Sequence, residues 1–266
     1  KSEKIAGNLS DYIKALDEAG ITQEVIIASV DYILTQTNAN EILRTISKPA
    51  TSKSITDLIK GLIEAGVLQS DIIIIINQVV IKENPERISN KLTELAAELK
   101  QNGLSPADIT ARLNQTLEET RPGRVADLET DYIHALRDLG VSAAIINANI
   151  TYILAQVKPE EIFKRLLNRG VAAAIGTMIT DLAAAGLSET NVIAIVNIVT
   201  INAEPKQLAQ SISELAKSLK GVEGIEAATI NRIITTVLSN PKSEKIAENL
   251  SDYIKALDEA GITQEV

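Results

Sequence analysis

Residues 85–117 read PERISNKLTELAAELKQNGLSPADITARLNQTL. Ile88, Leu92, Leu95, Ala96 and Leu99 fall at the three- and four-residue spacing of one helix face, and Ile109, Leu113 and Leu117 resume that spacing farther on. Pro85 opens the first run where its missing N–H costs nothing, because the first amides of a helix have no intrahelical partner. Gly103 follows the last turn, where a residue without Cβ takes the left-handed conformation that ends a helix. Leu104 behind it packs back on the helix, as in a Schellman ending. Ser105 then supplies an N-cap, with Pro106 at the first helical position and Asp108 completing a capping-box pattern. The stretch predicts helix, glycine turn, helix: an antiparallel hairpin.

The same punctuation runs along the whole chain. A glycine followed by an aliphatic residue recurs at Gly20-Ile21, Gly66-Val67, Gly103-Leu104, Gly140-Val141, Gly186-Leu187, Gly224-Ile225 and Gly261-Ile262, at intervals of 46, 37, 37, 46, 38 and 37 residues. Pro85, Pro122, Pro159, Pro205 and Pro241 keep the same rhythm, and Thr22, Ser142, Ser188 and Thr263 stand where Ser105 stands. The two long intervals have a local cause, about nine extra residues between Asn40 and Thr51 and again between Pro159 and Val171. There Asn40–Leu43 and Glu160–Phe163 predict short additional helices ending near Pro49 and Gly170.

Two longer periods enclose this one. Asp11-Tyr12-Ile13 returns as Asp131-Tyr132-Ile133, Tyr32-Ile33-Leu34 as Tyr152-Ile153-Leu154 and Pro85 as Pro205, all 120 residues on. Residues 1–25, KSEKIAGNLSDYIKALDEAGITQEV, return at 242–266 with Glu248 in place of Gly7 as the sole change. The chain therefore divides into one long tandem repeat, 1–241, made of halves 1–120 and 121–241 with three hairpins each, and the start of a next copy, 242–266. An array continuing past both ends is the expectation, and an opening at Lys1 with neither Met nor a signal-peptide pattern is what a fragment or a processed product gives.

Periods of this length mark solenoids, in which each unit buries its apolar face only against its neighbours. In architecture the hairpins resemble those of tetratricopeptide and HEAT-type solenoids. The Trp and the ladder of small residues that mark the tetratricopeptide pattern are missing, so the resemblance is to an architectural class. It implies an all-α fold, an α-solenoid: a superhelix of stacked antiparallel helical hairpins.

One segment competes with that expectation. Ile72 to Ile76, followed by Val79, Val80 and Ile81, is rich in β-branched residues and by itself predicts a strand. Its repeat partners, Val25 to Leu34 and Val192 to Ile201, occupy the same slot and read as buried helices, apolar on nearly every side. Helix is the expectation for all three, with the second helices sandwiched between layers or lining the interior of a superhelix.

Composition narrows the function. Aromatic residues make up 2% of the chain, with no Trp and Phe163 the sole Phe, so the core must be built from Ile, Leu, Val and Ala. A net charge of −9 argues against a phosphate-binding surface and hence against nucleic acid as partner. With no Cys, disulfides and thiolate chemistry are excluded, which suits an exported protein. No uninterrupted apolar run is longer than that of Ile72 to Ile76, which falls far short of the roughly 18 residues of a membrane span.

Candidate chemistry is sparse. His134, the sole histidine, stands where the sister copies have Lys14 and Lys255, which places it on a solvated face. Asp17-Glu18, Glu118-Glu119 and Glu160-Glu161 are neighbours in sequence, and adjacent residues on a helix point apart, so they read as surface charge and no calcium loop is present. Arg121, Arg124 and Arg137 form a small basic patch around Pro122. Asn8, Asn114, Asn149 and Asn249 begin glycosylation triplets that fall inside predicted helices. Tyr12, Tyr32, Tyr132, Tyr152 and Tyr253 recur at equivalent positions, as packing residues do. No catalytic, cofactor-binding or metal-binding residue is assigned, and no cofactor. The expectation is a non-enzymatic structural or adhesive segment of a longer fibre or stalk, at a surface or outside the cell, whose partners are neighbouring copies of its own repeat. The alternative is a scaffold that grips a protein or peptide in a concave face.

Overall fold

A computed structural model describes residues 2–18 and 20–260. Among the described residues there are fifteen α-helices and no strand: α1 (Ser2–Glu18), α2 (Gln23–Thr35), α3 (Ala39–Ile46), α4 (Pro49–Glu64), α5 (Gln69–Val80), α6 (Pro85–Gln101), α7 (Pro106–Glu118), α8 (Pro122–Arg137), α9 (Ala143–Leu154), α10 (Pro159–Leu166), α11 (Val171–Ala184), α12 (Glu189–Ile201), α13 (Pro205–Gly221), α14 (Ala227–Leu238) and α15 (Ser243–Glu259). The turn predicted at Gly261-Ile262 and the cap at Thr263 lie outside the described residues. Contacts divide the chain into two compact units, Lys1–Thr130 and Asp131–Val266.

Each unit is an all-α stack of helical hairpins in two layers. In the first unit α4 lies against α6, while the second helices form their own row, α2 on α5 on α7. In the second unit α11, α13 and α15 stack in one layer and α9, α12 and α14 in the other. The short helices are the nine-residue insertions. α3 packs against α1, α2 and α4, and α10 packs against α9, α11 and α12. Helices beside helices, repeated along the chain, are the helical-repeat solenoid expected from the spacing.

The turns follow from the glycines. In the third hairpin Gly103 sits at φ +79°. Its N–H donates to the Lys100 carbonyl at 3.0 Å and the Leu104 N–H to the Leu99 carbonyl at 3.1 Å, which is the paired bonding of a Schellman ending. The turns at Gly20, Gly66, Gly140 and Gly186 repeat both bonds. Gly224 departs from them. One extra residue separates it from Pro205, α13 ends in an extended Val222, and the Ile225 N–H reaches back only to Val222, at 3.4 Å.

Caps were legible in part. Ser105 accepts from the Asp108 N–H at 3.2 Å and donates its hydroxyl to Asp108 Oδ2 at 2.6 Å, a variant of the expected capping box. Ser142 and Ser188 also cap with their side chains. Thr22 does not, because its hydroxyl is taken by Gln69 Nε2 from the neighbouring second helix.

Burial follows the helical spacing. Ile88, Leu92, Leu95, Ala96 and Leu99 of α6 and Ile109, Leu113 and Leu117 of α7 are all buried. Each aliphatic side chain so removed from water contributes about 1.5–3 kcal/mol before the entropy of ordering it. The isoleucine run is helix α5, with Ile72, Ile75, Ile76 and Val79 on the buried side. All-round burial of the second helices does not hold, however. Ile27 and Ile74 are each 50% exposed and Leu34 is 48% exposed, because a helix in an outer layer has neighbours on only part of its circumference.

Buried polar groups tie first helices to second ones. Tyr132 in the second unit donates to Asn149 Oδ1 at 2.9 Å, and Asn149 Nδ2 donates to Asn197 Oδ1 at 2.9 Å and to Thr200 Oγ1 at 3.0 Å. In the first unit Tyr12 meets only Ser29, at 3.2 Å, and the buried Oδ1 of Asn77, the counterpart of Asn197, makes no hydrogen bond. Serine is too short to serve both. Ser29→Asn should therefore raise the stability of the first unit by about 1 kcal/mol, and Asn149→Ser should lower that of the second by about 1–2 kcal/mol. Hydrogen exchange resolved by unit checks both signs.

Candidate functional site

The ninth residue after each of six turn glycines is buried in five hairpins and half-buried, as Ile233, in the sixth. It is Ile75, Ile195 and Ile233 in three hairpins but Ser29, Arg112 and Asn149 in the others. A polar residue in a slot otherwise held by isoleucine is the signal by which the sequence marks its buried polar sites. Arg112 makes the most charged of them. Its Nε lies 3.8 Å from Oε1 of Glu129, with the two side chains 6% and 0% exposed. Glu129 Oε2 also accepts from Thr116 Oγ1 at 3.4 Å. Glu129 comes from α8 and replaces the leucine that sister copies carry at Leu9 and Leu250.

Burial dominates the titration of this pair. It raises the Glu129 carboxyl to about 7, against the pull of Arg112 and Thr116. It also lowers Arg112, against Glu129 and Asp108. Two charges taken out of water cost several kcal/mol each, so such a pair specifies how α7 meets α8 more than it stabilises the contact.

A cleft of about 240 Å³ opens between the N-termini of α6 and α8 in the same unit. Lys82, Arg87, Arg121 and Arg124 line it against a single carboxylate, Glu83. Asn84 caps α6 from its floor by accepting from the Arg87 N–H at 3.2 Å. The wall is close at Gly123, where a Cβ would stand 3.4 Å from Ile88 Cα and Cγ1, in contact with the start of α6. Arg124 is partly neutralised by Asp127, 3.0 Å away, which also holds Lys91 at 2.9 Å. Burial alone would raise the Asp127 carboxyl, but Lys91 and Arg124 together keep it below the usual carboxylate range. In the second half Asn202 and Gln207 replace Lys82 and Arg87. The cleft can hold a small anionic group such as a carboxylate or phosphate, since helix N-termini and cations act on it together.

The exposed aliphatics form a second candidate surface. Ile27 and Leu34 on α2, and Ile74 on α5 with Ile81 at its C-cap, are spaced by seven residues on adjacent second helices of the first unit, between 41% and 50% exposed. In α12 of the second unit only Ile198 is comparably exposed, at 39%. Four exposed aliphatic residues on two helices in contact offer apolar surface on one side of this unit.

The residues singled out in the sequence scatter. His134 is exposed, as are Lys14 and Lys255. Asp17, Glu18 and Glu118 are exposed, and Glu160 and Glu161 pair with Lys164 and Lys158. Arg121 and Arg124 share the cleft, whereas Arg137 sits in the last turn of α8 and takes no part in it. Tyr12 and Tyr132 are fully buried and Tyr32 and Tyr152 half-buried, but Tyr253 is 61% exposed. Among the described residues no group of three or more acidic or histidine side chains is placed to hold a metal ion, and no helix is long and apolar enough to cross a membrane.

No protein-family model matches the chain, and comparison with curated proteins gives no match.

Because Glu129 titrates higher in the folded chain than its ordinary value of 4.5, its native environment favours the protonated acid. That contribution is complete below the ordinary carboxylate range and is lost as pH rises through about 7. Arg112→Met removes the cation that opposes this loss. We expect the variant to cost little near about pH 5 and about 3 kcal/mol near about pH 8. Urea unfolding at the two pH values tests it, and equal losses at both would show that Glu129 does not carry the difference.

Proposed function

We propose that this chain is a non-enzymatic structural segment of a longer protein, a self-stacking helical-repeat array that provides length in a fibre or stalk at a surface or outside the cell. The observation that carries the reading is the reuse of one sequence in one role. Residues 243–259 repeat residues 2–18 with one change, and as α15 they lie against α13 in the layer of first helices, where α13 lies against α11. The pattern thus resumes in register after 241 residues. Near-identical long copies suit a polymer better than a groove shaped for one ligand, and an aliphatic core without Cys or Trp suits many repetitions of one solution.

A second reading has its own support. The aliphatic row of Ile27, Leu34, Ile74 and Ile81 is confined to the first unit, and a face that differs between sister units while their cores agree is what a protein- or peptide-binding scaffold needs. In that reading the row supplies the apolar contact and the basic cleft an anchor for an acidic partner.

Proteins containing one, two and three copies of the 241-residue repeat, compared by small-angle X-ray scattering, separate the readings. Maximum dimension growing in proportion to copy number is expected for the array. Compact particles strung as beads, each closed after one repeat, would overturn it and favour the binding scaffold.

A further inference from the structure

The cleft between the starts of α6 and α8 gathers positive charge in a chain whose net charge is −9. Of its four cations, Arg124 is held by Asp127 at 3.0 Å. Lys82 and Arg87 differ: among the described residues their side chains enter no ion pair, and neither does Glu83, the one carboxylate of the lining. Lys53 and Lys164, by contrast, find a carboxylate one turn away on their own helices. Two cations are thus held in a concave site without a counter-charge.

The chain contains its own comparison. The corresponding place in the second half, between the starts of α13 and α15, has Asn202 and Gln207 for Lys82 and Arg87, and Glu204 and Glu244 for Asn84 and Gly123. Lys242 and Lys245 stand there for Arg121 and Arg124. Two cations accompany two carboxylates in that half, whereas the cleft sets four cations against one. Hairpins and stacking are of one kind in both halves, so neither requires the difference. Charge serving solubility alone gives no reason to collect cations at one place of an acidic chain and balance them at its sister.

We propose that this cleft binds a phosphate group, carried by inorganic phosphate or by a phosphomonoester. Lys82 and Arg87 match the two negative charges of that group, and an arginine fork takes two of its oxygens at once. A carboxylate would occupy one fork and leave the second cation uncompensated. The first amides of α6 and α8 add partial positive charge at the same place, because they have no intrahelical partners. Gly123 brings no side chain to the start of α8, where the sister position brings the carboxylate of Glu244. At about 240 Å³ the cleft has room for the group and for the first atoms of whatever carries it. Its lining lies wholly within residues 82–124, so the site depends on neither end of the sequence and on neither reading of the function.

Nuclear magnetic resonance of the full chain tests it, with the Gly123 amide and the Arg87 Nε–H as reporters. The probes are inorganic phosphate, phosphoserine and acetate at one ionic strength. Saturable shifts at both reporters are expected with a phosphate probe, while the amides of Gln207 and Glu244 stay unmoved. Acetate should bind at least about tenfold more weakly. Lys82→Asn combined with Arg87→Gln puts the sister residues in the cleft at half-exposed and exposed positions. It should weaken phosphate at least about tenfold and leave the thermal midpoint in place. Tighter binding of phosphoserine than of inorganic phosphate would identify the monoester as the source, and equal or weaker binding the free ion. No saturable shift with either phosphate probe overturns the proposal. So does acetate binding as tightly, which would make the cleft a carboxylate anchor. A double variant that keeps its affinity, or equal shifts at Gln207 and Glu244, also overturns it, since non-specific attraction would then suffice.

Discussion

A helix that carries apolar residues on two faces cannot bury both inside its own hairpin. This constraint organises everything observed in the two units. One face of each first helix closes on the second helix that follows, and the other needs the first helix of the neighbouring hairpin. The stacks α4 on α6 and α11 on α13 on α15, with second helices in a parallel row, are the direct consequence. Scarcity of aromatic residues reinforces it. A core of Ile, Leu, Val and Ala has few large rings around which a hairpin could close alone: Tyr12, Tyr132 and Phe163 are the fully buried ones among the described residues, the last two 5.9 Å apart.

The same constraint shows in the one helical sequence that occurs twice. α1 and α15 are almost one sequence, yet the first shows its Ala6 and Ser10 side and the second its Tyr253 side. Propensity is nearly equal in the two, so the difference in burial belongs wholly to their neighbours.

Polar groups inside such a core do a different job. Aliphatic side chains of similar volume slide against one another at little cost, whereas Tyr132 with Asn149, Asn197 and Thr200 has one arrangement that pairs its members. The ion pair of Arg112 and Glu129 fixes the meeting of α7 and α8 by the same logic with charges, and burial makes it sensitive to pH. The first unit has a sparser version, Tyr12 with Ser29, and leaves Asn77 short of a partner. These slots separate otherwise similar hairpins.

By itself the sequence determined the hairpin, its period and the helical state of the isoleucine run, because glycine turns, proline starts and three- and four-residue spacing are local signals that recur. It also placed the two short helices, as insertions in a fixed rhythm. Burial of individual faces escaped it: Ile27, Leu34 and Ile74 are as apolar as Ile33 and Ile75, and only the number of neighbouring helices decides which of them meets water. The extra residue before Gly224 was visible as an interval of 38, but its effect, the loss of the paired turn bonds, depends on backbone geometry. The cleft lined by Lys82, Arg87, Arg121 and Arg124 was half legible, since Arg121 and Arg124 are close in sequence while Lys82 and Arg87 reach them only by packing of α6 on α8. Tertiary structure likewise decided that Glu129 faces Arg112: each stands where a sister copy has an aliphatic residue, but the attraction that pairs the two acts between helices.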